Sequence, residues 1–292
     1  MSKKDLNFWE SASENKRTYQ MYLDMITELS ISMFDWQGLP PSVNIRYMEL
    51  MLMQKGKCVF FREDDMPLTE QHFLALPFNS NGMLDLYGIP EDRMAYGLNG
   101  YTRQLTPQDS VIIWNNYLYT PSINTIQLFA KRLADLDRTI DVNSKAQKTP
   151  TFIQCPEEMR LTFKNIYMQY DGNSPVIYGD KSINPTAIKV FKTDAPYVAD
   201  KIYQLKVQYW NELLTYLGIS NINVTKKERL ITDEVTRNQG GVLANRYSRL
   251  CMRQEACRQI NAMFGLQVSV EFRDDLRATD LIEEIEGKDY NL

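Results

Sequence analysis

Few residues in this 292-residue chain have a type and spacing that could do chemistry. His72 is the single histidine and stands among short apolar runs, where such a residue ordinarily packs or holds a hydrogen bond. The acidic runs Glu63-Asp64-Asp65, Glu157-Glu158 and Asp274-Asp275 are adjacent along the chain. Neighbours on a strand or loop point apart, so these runs read as solvated surface before an acid/base dyad or a metal site. No GxxxxGKS/T loop or GxGxxG turn is present to cradle a nucleotide's phosphates. Cys58, Cys155, Cys251 and Cys257 make no CxxC or histidine-paired zinc pattern and are expected as reduced structural thiols. Neither a metal nor a cofactor is expected. Lysines remain: Lys192, Lys201, Lys226 and Lys227. In one copy they are ordinary surface charge, whereas repetition around a ring would make each a belt of positive potential.

Two of these lysines lie in "KTDAPYVADKIYQLKVQYWNELLTYLGI", residues 192–219. The stretch reads as a helix with Thr193 or Asp194 as N-cap, Pro196 in its first turn and Gly218 at the C′ position. About 23 residues at ~1.5 Å each give a rod of roughly 35 Å. Val198, Ile202, Leu205, Tyr209 and Leu213 form one apolar stripe, and Ala199, Tyr203, Trp210, Leu214 and Leu217 its neighbour. The opposite stripe is Lys201, Gln204, Gln208, Asn211 and Thr215. It is nearly free of charge, where a face that meets only water carries more.

The surrounding elements place this helix. Residues 6–34 have helical spacing, Pro40-Pro41 break it, and a second helix starts from Ser42 or Asn44 with Met48, Met51 and Met53 as core filling. Residues 57–120 are short apolar runs punctuated by Gly56, Asn81-Gly82, Gly88, Asn99-Gly100 and Pro107, the texture of a small β barrel or sandwich. Ile126, Phe129, Ala130, Leu133, Leu136 and Ile140 stripe a helix over 122–150. A β-leaning stretch, 151–192, includes a short helix around 161–170. Residues 220–241 read as a polar loop closed by Gly240-Gly241; a third long helix runs from about 243 to 264, followed by a strand in "LQVSVEFR" and an acidic tail. The fold class is α+β.

Composition sets the bounds. With 43% hydrophobic and 24% charged residues the chain can bury a sizeable core, as one large domain or two to three small ones. The longest apolar runs, such as "CVFF" and "VIIW", fall far short of the ~18 residues of a membrane span. "MSKKDLNFWE" has no apolar segment behind its lysines, so no secretory signal is expected and the protein stays in the cytoplasm where it is made. A net charge of −4 disfavours gripping nucleic acid over the whole surface.

Several stretches carry a resemblance in order along the chain: "LPPSVN" (39–44), "NSKAQKTP" (143–150), "GNSPVIYG" (172–179), "VFKTDAPYVADK" (190–201), "KKERLITDEV" (226–235) and "QEACRQINAMFGLQVSVEFR" (254–273). Through them the chain resembles the portal proteins, also called connector or upper collar proteins, of the small short-tailed phages that prime replication with a terminal protein, the phi-twenty-nine type. The match covers almost the whole chain and is loose over 57–120. The resemblance implies a non-enzymatic ring of about twelve subunits at one capsid vertex, a conduit for double-stranded DNA during packaging and ejection. Implied partners are further copies of the chain, the packaging ATPase and its RNA, capsid and scaffold, and the lower collar of the tail.

It further implies a division into residues 1–121 as a wing with an SH3-like β module, 122–150 as a stem helix, and 151–192 as a β-containing clip. Residues 193–219 become the channel-lining helix, 220–241 a tunnel loop, and 242–292 the crown helix, a wing strand and the tail. Lys192, Lys201, Gln204, Gln208, Lys226 and Lys227 would then face DNA, with Arg229, Asp233, Glu234 and Arg237 in the tunnel loop. Twelve copies at −4 each sum to −48, a mostly repulsive bore with local attractive rings. Family members can carry an arginine-rich N-terminus that touches packaging RNA; only Lys3 and Lys4 stand there in this chain, a departure that weakens an RNA or motor contact at this end. Two rival readings are a non-ring nucleic-acid-binding adaptor, marked by salt-dependent binding to linear DNA, and a metal-independent hydrolase whose turnover is lost on changing Asp274 or Asp275.

Overall fold

The structure, a computed structural model, describes residues 3–63, 73–147, 151–153, 188–190, 196–220 and 232–273. The chain divides into two compact units, Met1–Asp135 with Lys206–Leu292, and Leu136–Leu205.

The larger unit opens with helix α1 (Lys3–Ile31), then strand β1 (Phe34–Gln37) and helix α2 (Ile45–Lys55). Asn44 caps α2: its side chain accepts from the Tyr47 N–H at 2.9 Å, satisfying a donor that the first helical turn leaves without a partner. Six short strands follow: β2 (Lys57–Arg62), β3 (Phe73–Leu76), β4 (Phe78–Ser80), β5 (Arg93–Tyr96), β6 (Thr102–Leu105) and β7 (Ser110–Trp114). They form two antiparallel sheets, ordered β3-β2-β7 and β4-β5-β6.

The apolar runs "CVFF" and "VIIW" now have a physical reason. Cys58 and Phe60 of β2, with Val111 and Ile113 of β7, face the main core, while Val59, Phe61 and Ile112 face Phe78, Ala95 and Leu105 of the second sheet. Strands covered on both faces need apolar residues at consecutive positions, which hides the alternation of a half-exposed strand.

Three helices add to the main core. Helix α3 (Ile123–Ala146) contributes Ile126, Phe129, Ala130 and Leu133. Helix α4 (Ala199–Leu217) contributes Leu213 and Leu217, and helix α5 (Thr232–Phe264) contributes Ala256, Cys257 and Ile260. Strand β10 (Ser269–Phe272) pairs antiparallel with β1, setting Phe34 opposite Phe272 and Trp36 opposite Val270. In the smaller unit, β8 (Thr151–Ile153) pairs antiparallel with β9 (Ile188–Val190); the rest of the expected β-leaning stretch, with its short helix, lies outside the described residues.

Three boundaries differ from expectation. Strand β1 was not expected: it is only four residues long and begins at Phe34, where the first helix was expected to end. Helix α4 begins at Ala199, four or five residues later than Thr193 or Asp194 as cap would place it. Helix α5 begins at Thr232, so Gly240 and Gly241 lie inside a helix and not in a loop.

At the centre of the larger unit is a buried ion pair. Arg253 of α5 is 1% exposed, as is Glu49 of α2. The guanidinium meets the carboxylate with two bonds, Nε to Oε1 at 2.9 Å and Nη2 to Oε2 at 2.7 Å. Trp36 Nε1 donates to the same carboxylate at 2.8 Å, and Arg253 Nη1 donates to the Asn115 carbonyl at 3.0 Å and the Arg249 carbonyl at 3.1 Å. The guanidinium also lies 3.9 Å from the Phe34 ring centroid. Full pairing is what makes two such charges tolerable out of water.

Removing one partner strands the other. Arg253→Ala is expected to lower unfolding stability by about 3–5 kcal/mol, and the double variant Glu49→Met/Arg253→Met to recover most of the loss. Urea denaturation checks both.

Candidate functional site

The helix singled out by its sequence, α4, is set in place at both ends by side chains from elsewhere in the chain. In the smaller unit, Asn143 of α3 clamps the strand of chain ahead of it. Its Nδ2 donates to the Pro196 carbonyl at 2.9 Å and its Oδ1 accepts from the Val198 N–H at 3.1 Å. Those two bonds hold residues 196–198 out of the helix, which is why α4 starts late. The Ile202 N–H then bonds the Val198 carbonyl at 3.1 Å as the first helical bond, and Asp200 in the first turn complements the positive end of the helix dipole. Asp200 also accepts from the Tyr197 hydroxyl at 3.2 Å, and its negative charge raises the tyrosine's pKa.

In the larger unit, α4 closes as its sequence predicted. Gly218 has φ +81°; its N–H bonds the Thr215 carbonyl at 3.1 Å, and the Ile219 N–H bonds the Leu214 carbonyl at 2.9 Å. This is the paired closure that a left-handed residue after a helix allows. Helix α5 crosses here. Asn245 Nδ2 donates to the Thr215 carbonyl and Arg246 Nε to the Gly218 carbonyl, both at 3.0 Å, so the negative helix end meets an amide and a guanidinium. Arg246 also stacks over Phe272 of β10 at 4.0 Å, and the buried Arg249 over Tyr216 at 4.7 Å. Burial lowers the Arg249 pKa from its ordinary value.

Between these anchorages the polar stripe is open at one end and covered at the other. Lys201, Gln204 and Gln208 are exposed, as expected of residues free to meet a partner. Asn211 and Thr215 are half-buried, and Thr215 sits under α5 with its hydroxyl turned back to the Asn211 carbonyl at 2.9 Å. Sequence reasoning missed Glu212, which is exposed at a helical spacing from Gln208 that puts both on one face, so the stripe carries a negative charge besides Lys201. It also placed Leu205 and Tyr203 on the apolar side, yet they are 38% and 59% exposed; of the apolar stripes, Ala199, Leu213 and Leu217 are buried.

The other expected site residues are not brought together with these. Lys192, Lys226, Lys227 and Arg229 lie outside the described residues. Asp233, Glu234 and Arg237 are in the first turns of α5, and Lys3 and Lys4 open α1, with their side chains outside what is described. His72, Asp64, Asp65 and the other two acidic pairs are likewise outside. Glu63 is described and is not solvated: it is buried, taking the Tyr101 hydroxyl and the Arg103 guanidinium. Cys58 and Cys257 are buried thiols with raised pKa, desolvation being the main cause, and Cys257 reaches about 12. Among the described residues no cluster of His, Cys, Asp or Glu could hold a metal ion, and no helix is long and apolar enough to cross a membrane.

The fold is of the portal class. The chain is similar from end to end to one in the solved structure of the portal and tail of native bacteriophage P68, with a TM-score of 0.55 at 15% identity, covering 100% of this chain and 99% of that one. Weaker similarity extends to an HK97 family phage portal protein from Corynebacterium diphtheriae (TM-score 0.41, 10% identity, 92% and 97% covered). It also extends to the neck of a native gene transfer agent particle computed with C12 symmetry (TM-score 0.41, 11% identity, 92% and 84% covered). The family model described as Phage Connector (GP10) matches residues 2–277, and the chain belongs to that family. It is a portal, or connector, protein of phage heads, a virion structural protein.

The anchorage of α4 is open to test. A Cβ on Gly218 would lie 2.7 Å from the Arg246 backbone nitrogen, and the residue is in the left-handed region. Gly218→Ala should cost about 1–3 kcal/mol, against roughly 1 kcal/mol for Asn143→Ala, both read as shifts in the urea midpoint.

Proposed function

We propose that the protein is the portal of a small short-tailed, protein-primed phage. About twelve copies close into a ring at one capsid vertex, through which DNA is packaged and ejected. The observation that carries this reading is the agreement along the whole chain of a connector family match over residues 2–277 with an end-to-end portal fold. On this reading the β2–β7 module is the wing, β8 and β9 belong to the clip, and α4 is the helix that faces the DNA. The ring docks the packaging ATPase on one side and the lower collar of the tail on the other, with ATP chemistry left to the motor. A non-ring nucleic-acid-binding adaptor has no observation in its favour.

The exposed part of α4 suits a conduit better than a grip. Gln204 and Gln208 offer neutral amides, Lys201 one cation, and Asp200 and Glu212 two anions, so sliding phosphates meet few strong, lasting contacts. Lys192, Lys226 and Lys227, repeated around the ring, would supply the local attractive belts.

Two measurements bear on this. Native mass spectrometry with negative-stain imaging of the chain expressed alone should show a closed ring near twelve subunits with an open centre; a persistent monomer in the presence of scaffold would sink the reading. Replacing Gln204 and Gln208 with arginine should slow DNA packaging several-fold without changing ring assembly, each added cation gaining a phosphate contact; packaging at the unchanged rate would remove α4 from the channel wall.

A further inference from the structure

The ribbon between β4 and β5 ends in an apolar tip. The Asn81 N–H bonds the Asp92 carbonyl at 3.4 Å, the Glu91 N–H bonds the Met83 carbonyl at 3.0 Å, and Leu84 bridges Pro90, so the two strands run on past the sheet. Asp85 locks the turn that joins them. Its Oδ1 accepts from the Tyr87 and Ile89 N–H groups, both at 2.8 Å, its own N–H bonds the Ile89 carbonyl at 2.9 Å, and Gly88 is the left-handed residue at φ +76°. The turn uses its polar groups internally and turns its apolar ones out: Leu86 is 99% exposed, Tyr87 89%, Met83 67% and Leu84 56%. A single exposed leucine is ordinary, whereas four large apolar side chains within five residues, on a tip held this firmly, form a contact surface.

The far end of β5 has the opposite shape. Leu98, Asn99 and Tyr101 of the turn into β6, with Leu74 and Leu76 of β3 and Tyr47 of α2, line a hollow of about 310 Å³. It has room for one or two side chains, and its lip, Leu98, is 91% exposed. Charge is matched as well as shape. Residues 81–92 hold Asp85, Glu91 and Asp92 and no lysine or arginine. The hollow adjoins the first turn of α2, which has no acidic residue to answer the positive end of the helix dipole. That turn carries Arg46, exposed and without an ion pair among the described residues.

We propose that Leu86 and Tyr87 of one copy seat in this hollow of the next copy, as a contact through which the ring closes. The inference rests on the ring reading above. Knob and socket lie at the two ends of β5 and cannot meet within one chain. Joined between chains they repeat in one direction, the head-to-tail contact that a ring requires. Because the bonds of Asp85 hold the tip in shape beforehand, little ordering cost is left for the moment of contact. The carboxylates of the ribbon, set against Arg46 and the α2 N-terminus, fix which way round the knob enters.

The test uses the full chain assembled as rings. Leu86 and Leu98 are both exposed, so changing either leaves the core intact. In rings of the double variant Leu86→Cys/Leu98→Cys, mild oxidation should join copy to copy and give a ladder of covalent oligomers on a non-reducing gel. Rings of either single variant should give no ladder, which sets aside the native cysteines. Leu86→Ser should fold with wild-type circular dichroism, yet its rings should dissociate at about tenfold higher protein concentration or more, the burial of one leucine being lost at each contact. Double-variant rings that give no ladder, or Leu86→Ser rings as stable as wild type, would overturn the proposal and leave the ring reading intact. Linkage of Leu86→Cys in proheads to a different virion protein alone would overturn it too. A wild-type chain that never forms rings would instead remove the reading on which it rests.

Discussion

The bidentate pair between Arg253 and Glu49 is the constraint on which the larger unit depends. Charges buried to this degree are costly unless every donor and acceptor is met, and here the meeting draws on four places at once: α2 supplies the carboxylate, α5 the guanidinium, β1 the Trp36 donor and the Phe34 ring, and the end of β7 the Asn115 carbonyl. Displacing any of these elements leaves a buried charge short of a partner. A greasy contact tolerates sliding, whereas this geometry tolerates one register. The fixed position of α5 over the end of α4 in turn brings Asn245 and Arg246 to the carbonyl end of that helix.

Helix α4 therefore owes its placement to neighbours more than to its own sequence. Asn143 holds the chain ahead of it, Asn245 and Arg246 receive its last carbonyls, and Leu213 and Leu217 bury its final turns. Among the described residues nothing comparable covers Lys201, Gln204 and Gln208, which leaves a polar, weakly charged surface on the helix. If α4 faces the DNA, as proposed above, a weakly charged surface suits it, since that surface must not hold on.

Local signals were legible where local chemistry decides. Gly218 as helix stop, Asn44 as cap, the strands of 57–120 and the strand in "LQVSVEFR" all depend on neighbours within a few residues, and the structure has them. The start of α4 was not legible, because Asn143, more than fifty residues earlier, overrides Pro196 as a helix opener. Nor was the role of Arg253, which in sequence is one more charged residue on an amphipathic helix; only the fold shows a carboxylate from residue 49 waiting for it. Glu212 was passed over because the stripe was drawn through amides. Lys201, Gln204 and Gln208 are exposed, but a helix wheel cannot reveal that Asn211 is half-buried and that Thr215 lies against α5.

Helix α5 is mechanically uneven. From Asn245 to Ile260 it is riveted by capping bonds, stacked guanidinium groups, the ion pair and the core. Just before that stretch come Gly240 and Gly241, the two residues that hold a helix least firmly, and beyond a Cβ at Gly240 there is only open space. Force applied to residues 232–239 is thus relieved at the glycine pair before it reaches the rivets. The helix behaves as a stiff beam with a compliant coupling at one end, and a disturbance arriving there is absorbed without loosening the core.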